Sequence, residues 1–279
     1  MTKKILAVFL VLCVFAFSAC TVLNEKETLS ETSDTVTTES PTVTVTFPEG
    51  YTAVQTAEKL EESAVCTAQD FMAEVNDIEK LKGVYKFIDY IDSESKAFAL
   101  EGYIFPDTYE FYKGESAETA LSRFLKNTES KLSDEYYLRA EELGYTMDEI
   151  ITLASIVQSE AGYPNENAKV SSVIHNRIES PDYGKLQCDV TINYVNDYVT
   201  NSMYLTGDTE KFKELYNTYK CTGLPSGAIC NPGLDTIKAA LYPDDTDYFF
   251  FVTDKDMNYY YASTYEEHLK NCKACGLTG

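Results

Sequence analysis

Tryptophan is absent from this chain, and histidine occurs only at His175 and His268. So little imidazole leaves few ways to activate a nucleophile. A cysteine hydrolase would have to pair Cys188 with His175, and a serine hydrolase lacks its Gly-x-Ser-x-Gly elbow. Basic residues are also scarce, with 23 Lys and Arg against 45 Asp and Glu and a formal charge of -22. A protein that grips phosphates needs a basic face, so nucleic acid is excluded as a partner. His268, Cys272 and Cys275 show an H-x3-C-x2-C spacing but want a fourth ligand, so neither a structural metal nor a cofactor is expected. No internal repeat is visible.

What is present is a chain of 279 residues with 44% hydrophobic content, enough to bury the core of one large domain or two small ones. Lys3 and Lys4 precede an apolar run from Ile5 to Phe17, shorter than the ~20 residues a spanning helix wants. Ser18-Ala19-Cys20 then resembles a lipoprotein signal, with residues 1–19 removed and Cys20 carrying the lipid. An uncleaved single anchor is the alternative, and either reading places the rest at the membrane, outside the cytoplasm. Residues 20–41 are Thr, Ser and Glu with almost nothing to bury, a solvated tether. Six further cysteines follow, of which Cys221 with Cys230 and Cys272 with Cys275 are the local disulfide options; a reducing habitat would leave all six as thiols.

Beyond the tether, Val43 to Phe47 alternates as a strand, Pro48-Glu-Gly50 turns, and Val54, Ala57, Leu60, Val65 and Phe71 predict two short helices. Ser116 and Ser133 each head a helical pattern, the second stopping at Gly144. Thr146-Met-Asp-Glu149 has the form of a capping box opening a helix that stops at Gly162, and another helix is expected from about Glu166 to Ile178. Residues 248–253 and 259–262 read as a hairpin, with a last helix opening at Thr264. The mixture is α+β.

Glu160 attracts notice within this pattern. At about 100° per residue it projects about 80° from Ile150, on the edge of its helix's apolar face. It also occupies the last turn, where the negative end of the helix dipole opposes a carboxylate. Partial burial and the dipole both raise its pKa, as a general acid at neutral pH requires.

The stretches Leu153 to Gly162, Lys169 to Arg177 and Leu186 to Thr191 resemble three consecutive motifs of the YceG-like endolytic murein transglycosylases. Leu100 to Phe111 upstream, and Tyr216 to Tyr219 with Gly223 to Gly233 downstream, match as well. The resemblance implies a small LysM-like α/β lobe over residues 42–92 and a mixed helical and β catalytic domain over 93–275. It implies Glu160 as acid/base catalyst, cleaving the bond from N-acetylmuramic acid to N-acetylglucosamine and leaving 1,6-anhydro ends during wall biogenesis. Asn176, Arg177, Gln187, Asp189, Thr191, Tyr216, Asn217 and Thr218 are the expected substrate-binding residues, each with a plain reading as loop scaffold. Arg177 would meet a lactyl or peptide carboxylate, or pair with Asp189. The 22 Tyr and 14 Phe offer faces for sugar rings, although most should be packing.

The expected partners are peptidoglycan strands, the membrane and wall synthases. Gln158 replaces a second acidic residue of the family motif, implying that tuning of Glu160 by that carboxylate is lost. Cys188 and Val190 depart from the usual Gln-Ser-Asp-Pro-Thr, so a different loop shape is expected there. The lobe begins almost at the tether, implying less independent wall-binding surface. A catalytically silent wall-binding scaffold that recruits synthases is the competing reading.

Overall fold

The computed structural model describes residues 41–277. The expected signal, the lipid site at Cys20 and nearly all of the tether lie outside the described residues. In chain order the elements are β1 (Thr42–Thr46), α1 (Ala53–Glu62), α2 (Ala68–Asn76), β2 (Thr108–Tyr112), α3 (Ala117–Lys131), α4 (Asp134–Glu142) and α5 (Met147–Glu160). They continue as α6 (Asn167–Glu179), α7 (Asp189–Tyr194), α8 (Thr209–Leu215), α9 (Leu234–Leu241), β3 (Phe250–Thr253), β4 (Tyr259–Ala262) and α10 (Tyr265–Ala274). The architecture is α+β, built largely of helices with two small antiparallel sheets.

The first sheet pairs β1 with β2, Thr42 opposite Tyr112 and Thr46 opposite Thr108. Alternation correctly marked β1 as a strand, but its partner comes after residue 92, across a long irregular connection. Thr52 starts α1 with a capping box, its hydroxyl accepting from Gln55 N while Gln55 Oε1 accepts from Thr52 N at 3.0 Å. Aromatic rings join the sheet to α3, with the Phe47 and Phe124 centroids 5.0 Å apart and edge-on.

α5 is the central helix, lying against α4, α6, α7 and α9. The expected capping box forms between Thr146 and Glu149. Every residue from Ile150 to Val157 is buried, so the helix has no solvent face over about two turns. Each fully buried Ile or Leu on it contributes roughly 1.5–3 kcal/mol. Such a helix tolerates polar groups only when they are paired, and Asp148 takes Lys96 Nζ at 2.7 Å and the Tyr103 hydroxyl at 2.8 Å. Gly102 crosses α5 in the left-handed region, φ +94°, where a Cβ would sit 2.6 Å from Ile151. Only glycine fits that crossing.

Ser133 precedes α4 as expected, though its side chain makes no capping bond. The six cysteines among the described residues are all free, including both local pairs considered above.

Candidate active site

α5 ends at Glu160, and its terminal backbone groups are met by β4. Tyr259 donates its hydroxyl proton to the Glu160 carbonyl at 3.0 Å and accepts from Gly162 N at 2.6 Å. One phenol thus satisfies an orphan carbonyl of the helix and fixes the hairpin beside it. The Glu160 side chain lines an open groove of about 420 Å³. Cys188, Asp189, Tyr219 and His268 share the groove, with Phe249 and Phe250 of the hairpin as an apolar wall. Burial pushes the Glu160 carboxyl up to about 7; the Asp189 carboxylate adds to the rise, and the Cys188 thiol opposes it by hydrogen bonding. A half-buried acid with a route to solvent can therefore hold its proton near neutrality and deliver it to a ligand.

Asp189 heads α7, and Tyr219 holds its carboxylate through a 2.7 Å hydroxyl bond. Cys188, just before it, is 9% exposed, and burial first, then the Glu160 carboxylate, raises its thiol far above the ordinary value. Such a thiol is a weak nucleophile. His175 gives it no help, because that ring bonds Ala240 O at 2.9 Å and stacks edge-on against Tyr145. The cysteine-hydrolase reading has no dyad here.

Of the residues expected to bind substrate, the structure brings Arg177, Gln187 and Asp189 to the groove with Glu160. Arg177 does not pair with Asp189: its donors go to the carbonyls of Lys185 and Phe249 and to Gln187 Oε1. The others stand away from the groove, for a common reason: their polar atoms are consumed in holding loops. Asn176 donates to the carbonyls of Thr246 and Tyr248, both at 2.9 Å. Thr191 and Thr218 are fully buried and clamp Cys188, Thr191 Oγ1 donating to its carbonyl at 2.9 Å and Thr218 Oγ1 accepting from its N–H at 3.0 Å. Tyr216 is buried with its hydroxyl accepting from Ala97 N, and Asn217 Oδ1 accepts from Tyr219 N. These five hold the loops beside the groove. Tyr219, Tyr265, His268 and the hairpin phenylalanines are the groove residues that sequence reasoning missed. Tyr219 stood inside a recognised motif and His268 inside a metal-like spacing; the phenylalanines read as ordinary hairpin packing.

Two further observations revise the expectations. Gln158 points away from the groove, its Oε1 accepting from Gly233 N at 2.9 Å and Thr236 Oγ1 at 3.0 Å, and so caps α9. The same side chain also hydrogen-bonds the Glu49 carboxyl, and the second carboxylate acting on Glu160 is Asp189. Glu101 is a second displaced carboxyl, raised by burial to about 8. It is fully enclosed, accepting from Ala53 N, Tyr194 Oη and Asn231 Nδ2, so no ligand can reach it. A cavity of about 630 Å³ between Lys86, Tyr137 and Met147 exceeds the groove in size, but the Asp134 carboxyl on its wall is held below its ordinary value by Lys86, the opposite of what an acid needs. Among the described residues no cluster of His, Cys, Asp and Glu suits a metal ion.

Endolytic murein transglycosylases of Streptococcus pneumoniae and Bacillus subtilis are 28% and 29% identical to the chain over 244 and 242 residues, covering 82% and 81% of it. The chain spans about half the length of these relatives, 44% of the first and 63% of the second. The crystal structure of a putative YceG-like protein from Listeria monocytogenes superposes with a TM-score of 0.67 at 28% identity, covering 82% of this chain and 75% of that one. The sequence profile of the YceG-like family matches residues 21–274, nearly the whole chain, and the protein belongs to that family.

Proposed function

We propose that the protein is an endolytic lytic transglycosylase of peptidoglycan, with Glu160 as its acid and then its base. The observation that carries this is a carboxyl raised to about 7 on the wall of an open groove. The transglycosylase activity for which the Streptococcus and Bacillus relatives are named supports the same reading. Glu160 protonates the oxygen between N-acetylmuramic acid and N-acetylglucosamine as that bond breaks. The substrate's own N-acetyl oxygen stabilises the positive charge at C1. The carboxylate left on Glu160 then takes the proton of the muramoyl 6-hydroxyl, whose oxygen closes on C1 to give the 1,6-anhydro end. Water is not consumed, in contrast to two-carboxylate glycoside hydrolysis.

Purified protein should digest uncrosslinked strands to anhydro-muramoyl fragments seen by mass spectrometry, and Glu160→Gln should abolish them. Hydrolysed reducing ends would instead mean that Asp189 activates water, and no product at all would restore the silent-scaffold reading. Lipid attachment at Cys20, or retention of the apolar run as an anchor, would hold the enzyme on the outer face of the cell membrane within reach of wall synthases. The strand–helix–helix–strand order of β1, α1, α2 and β2 supports a LysM-like role in wall contact for the N-terminal lobe.

A further inference from the structure

The catalytic groove does not end at Arg177. A second cavity, about 360 Å³, begins on the other side of it, sharing Arg177 and Gln187 and continuing along the 180–185 loop to Thr222. Three observations bear on what it takes. Arg177 is only 7% exposed yet has no carboxylate partner: its acceptors are two backbone carbonyls and an amide oxygen. A buried charge normally has a counter-ion, and one satisfied only by neutral groups is poised for an anion. Next, Lys185 joins Arg177 in this cavity against Asp182 alone, a local positive balance in a chain of net charge -22. Finally, Gln187, between the two cavities, is held in the left-handed region at φ 57°, with Oε1 on Arg177 Nη2 at 2.9 Å. Non-glycine strain of this kind persists where the surroundings impose it, commonly at ligand sites.

We infer that this second cavity is a subsite for the acidic peptide borne by the muramoyl unit in the catalytic groove, with Arg177 and Lys185 receiving a peptide carboxylate. The inference rests on the transglycosylase reading for the identity of the strand. A substituent leaving the sugar ring beside Glu160 enters the second cavity by passing Arg177. The lactyl carboxyl is amidated in such a strand, so the free carboxylates lie farther along the peptide, on the side of Lys185.

Binding is read on Glu160→Gln protein, so that turnover is not needed, with three strand preparations. One is uncrosslinked and peptide-bearing, one is the same after carbodiimide amidation of its carboxylates, and one is stripped of peptide by an amidase, which frees the lactyl carboxylate. The peptide-bearing strand should bind about tenfold more tightly than either of the others, the loss expected for one charge-assisted contact. Lys185→Glu, a change at an exposed side chain, should shrink that preference without unfolding the buried Arg177 network. Equal binding of native and amidated strands overturns the subsite, and equal binding of native and stripped strands assigns the carboxylate to the lactyl group and overturns the peptide assignment. Should wild-type protein cut no strand while the preference persists, the transglycosylase reading fails and the subsite stands.

Discussion

Replacing Asp189 with Asn removes one charge from the groove and leaves its shape nearly intact. Burial is the larger cause of the high Glu160 pKa and Asp189 the second, so the substitution lowers that pKa without returning it to 4.5. A like charge sharing the groove is taken to raise a carboxyl by about one pH unit, which corresponds to roughly 1.4 kcal/mol. The active form of the free enzyme carries the Glu160 proton, so activity is present below the pKa and lost as pH rises through it. In Asp189→Asn the basic limb of kcat/KM against pH should therefore move from about 7 toward 6. Arg177 and His268 also line this groove, and neither is altered by the change, which keeps the comparison clean. The assay is release of anhydro-muramoyl fragments from uncrosslinked strands between pH 5 and 9. Loss of amplitude alone would reflect weaker sugar binding; a limb that stays in place would refute the electrostatic role of Asp189.

Cys188→Ala should move the same limb the opposite way, because the thiol's hydrogen bond lowers the Glu160 pKa, and Cys188→Ser should restore it. Glu160→Gln should gain stability relative to wild type as pH rises. Between 4.5 and about 7 the native protein keeps a proton the unfolded chain has released. Wild-type stability is therefore full below 4.5 and falls through that window by about 2–3 kcal/mol, a loss the amide escapes; melting temperatures at pH 5 and 8 measure it. Glu101→Gln should fold and still cleave, since its carboxyl is sealed from the groove. Glu101→Ala should lose about 1–3 kcal/mol in denaturant titration by orphaning the donors of Ala53 and Asn231. A folded but inactive Glu101→Gln would transfer the acid role away from Glu160.

Local rules made much of this molecule legible. The capping box at Thr146, the strand at residues 42–46, the closing hairpin and the last helix all follow from side-chain chemistry within a few residues. Glu160 was conspicuous for a related reason, a carboxyl at the dipole-opposed end of an apolar helix. The argument from an apolar edge was incomplete, however: α5 is buried on all sides from Ile150 to Val157, and what exposes Glu160 is the groove at its end.

The distinction between groove residue and scaffold depended on contacts across the fold. Asn176, Thr191 and Thr218 are polar residues in motifs beside Glu160, and nothing local reveals that their hydrogen bonds are spent on Thr246, Cys188 and one another. The same holds for Gln158, which serves α9 some 75 residues on, and for Arg177, whose buried charge lacks a carboxylate only because of where Lys185, Gln187 and Phe249 fall. Helices, turns and the place of Glu160 at the end of an apolar helix were thus determined by the sequence itself, because they depend on period, caps and residue type. The shape of the groove, the carboxylate that tunes the acid and the cavity beyond Arg177 were decided by tertiary structure, because each depends on distances between segments far apart in the chain.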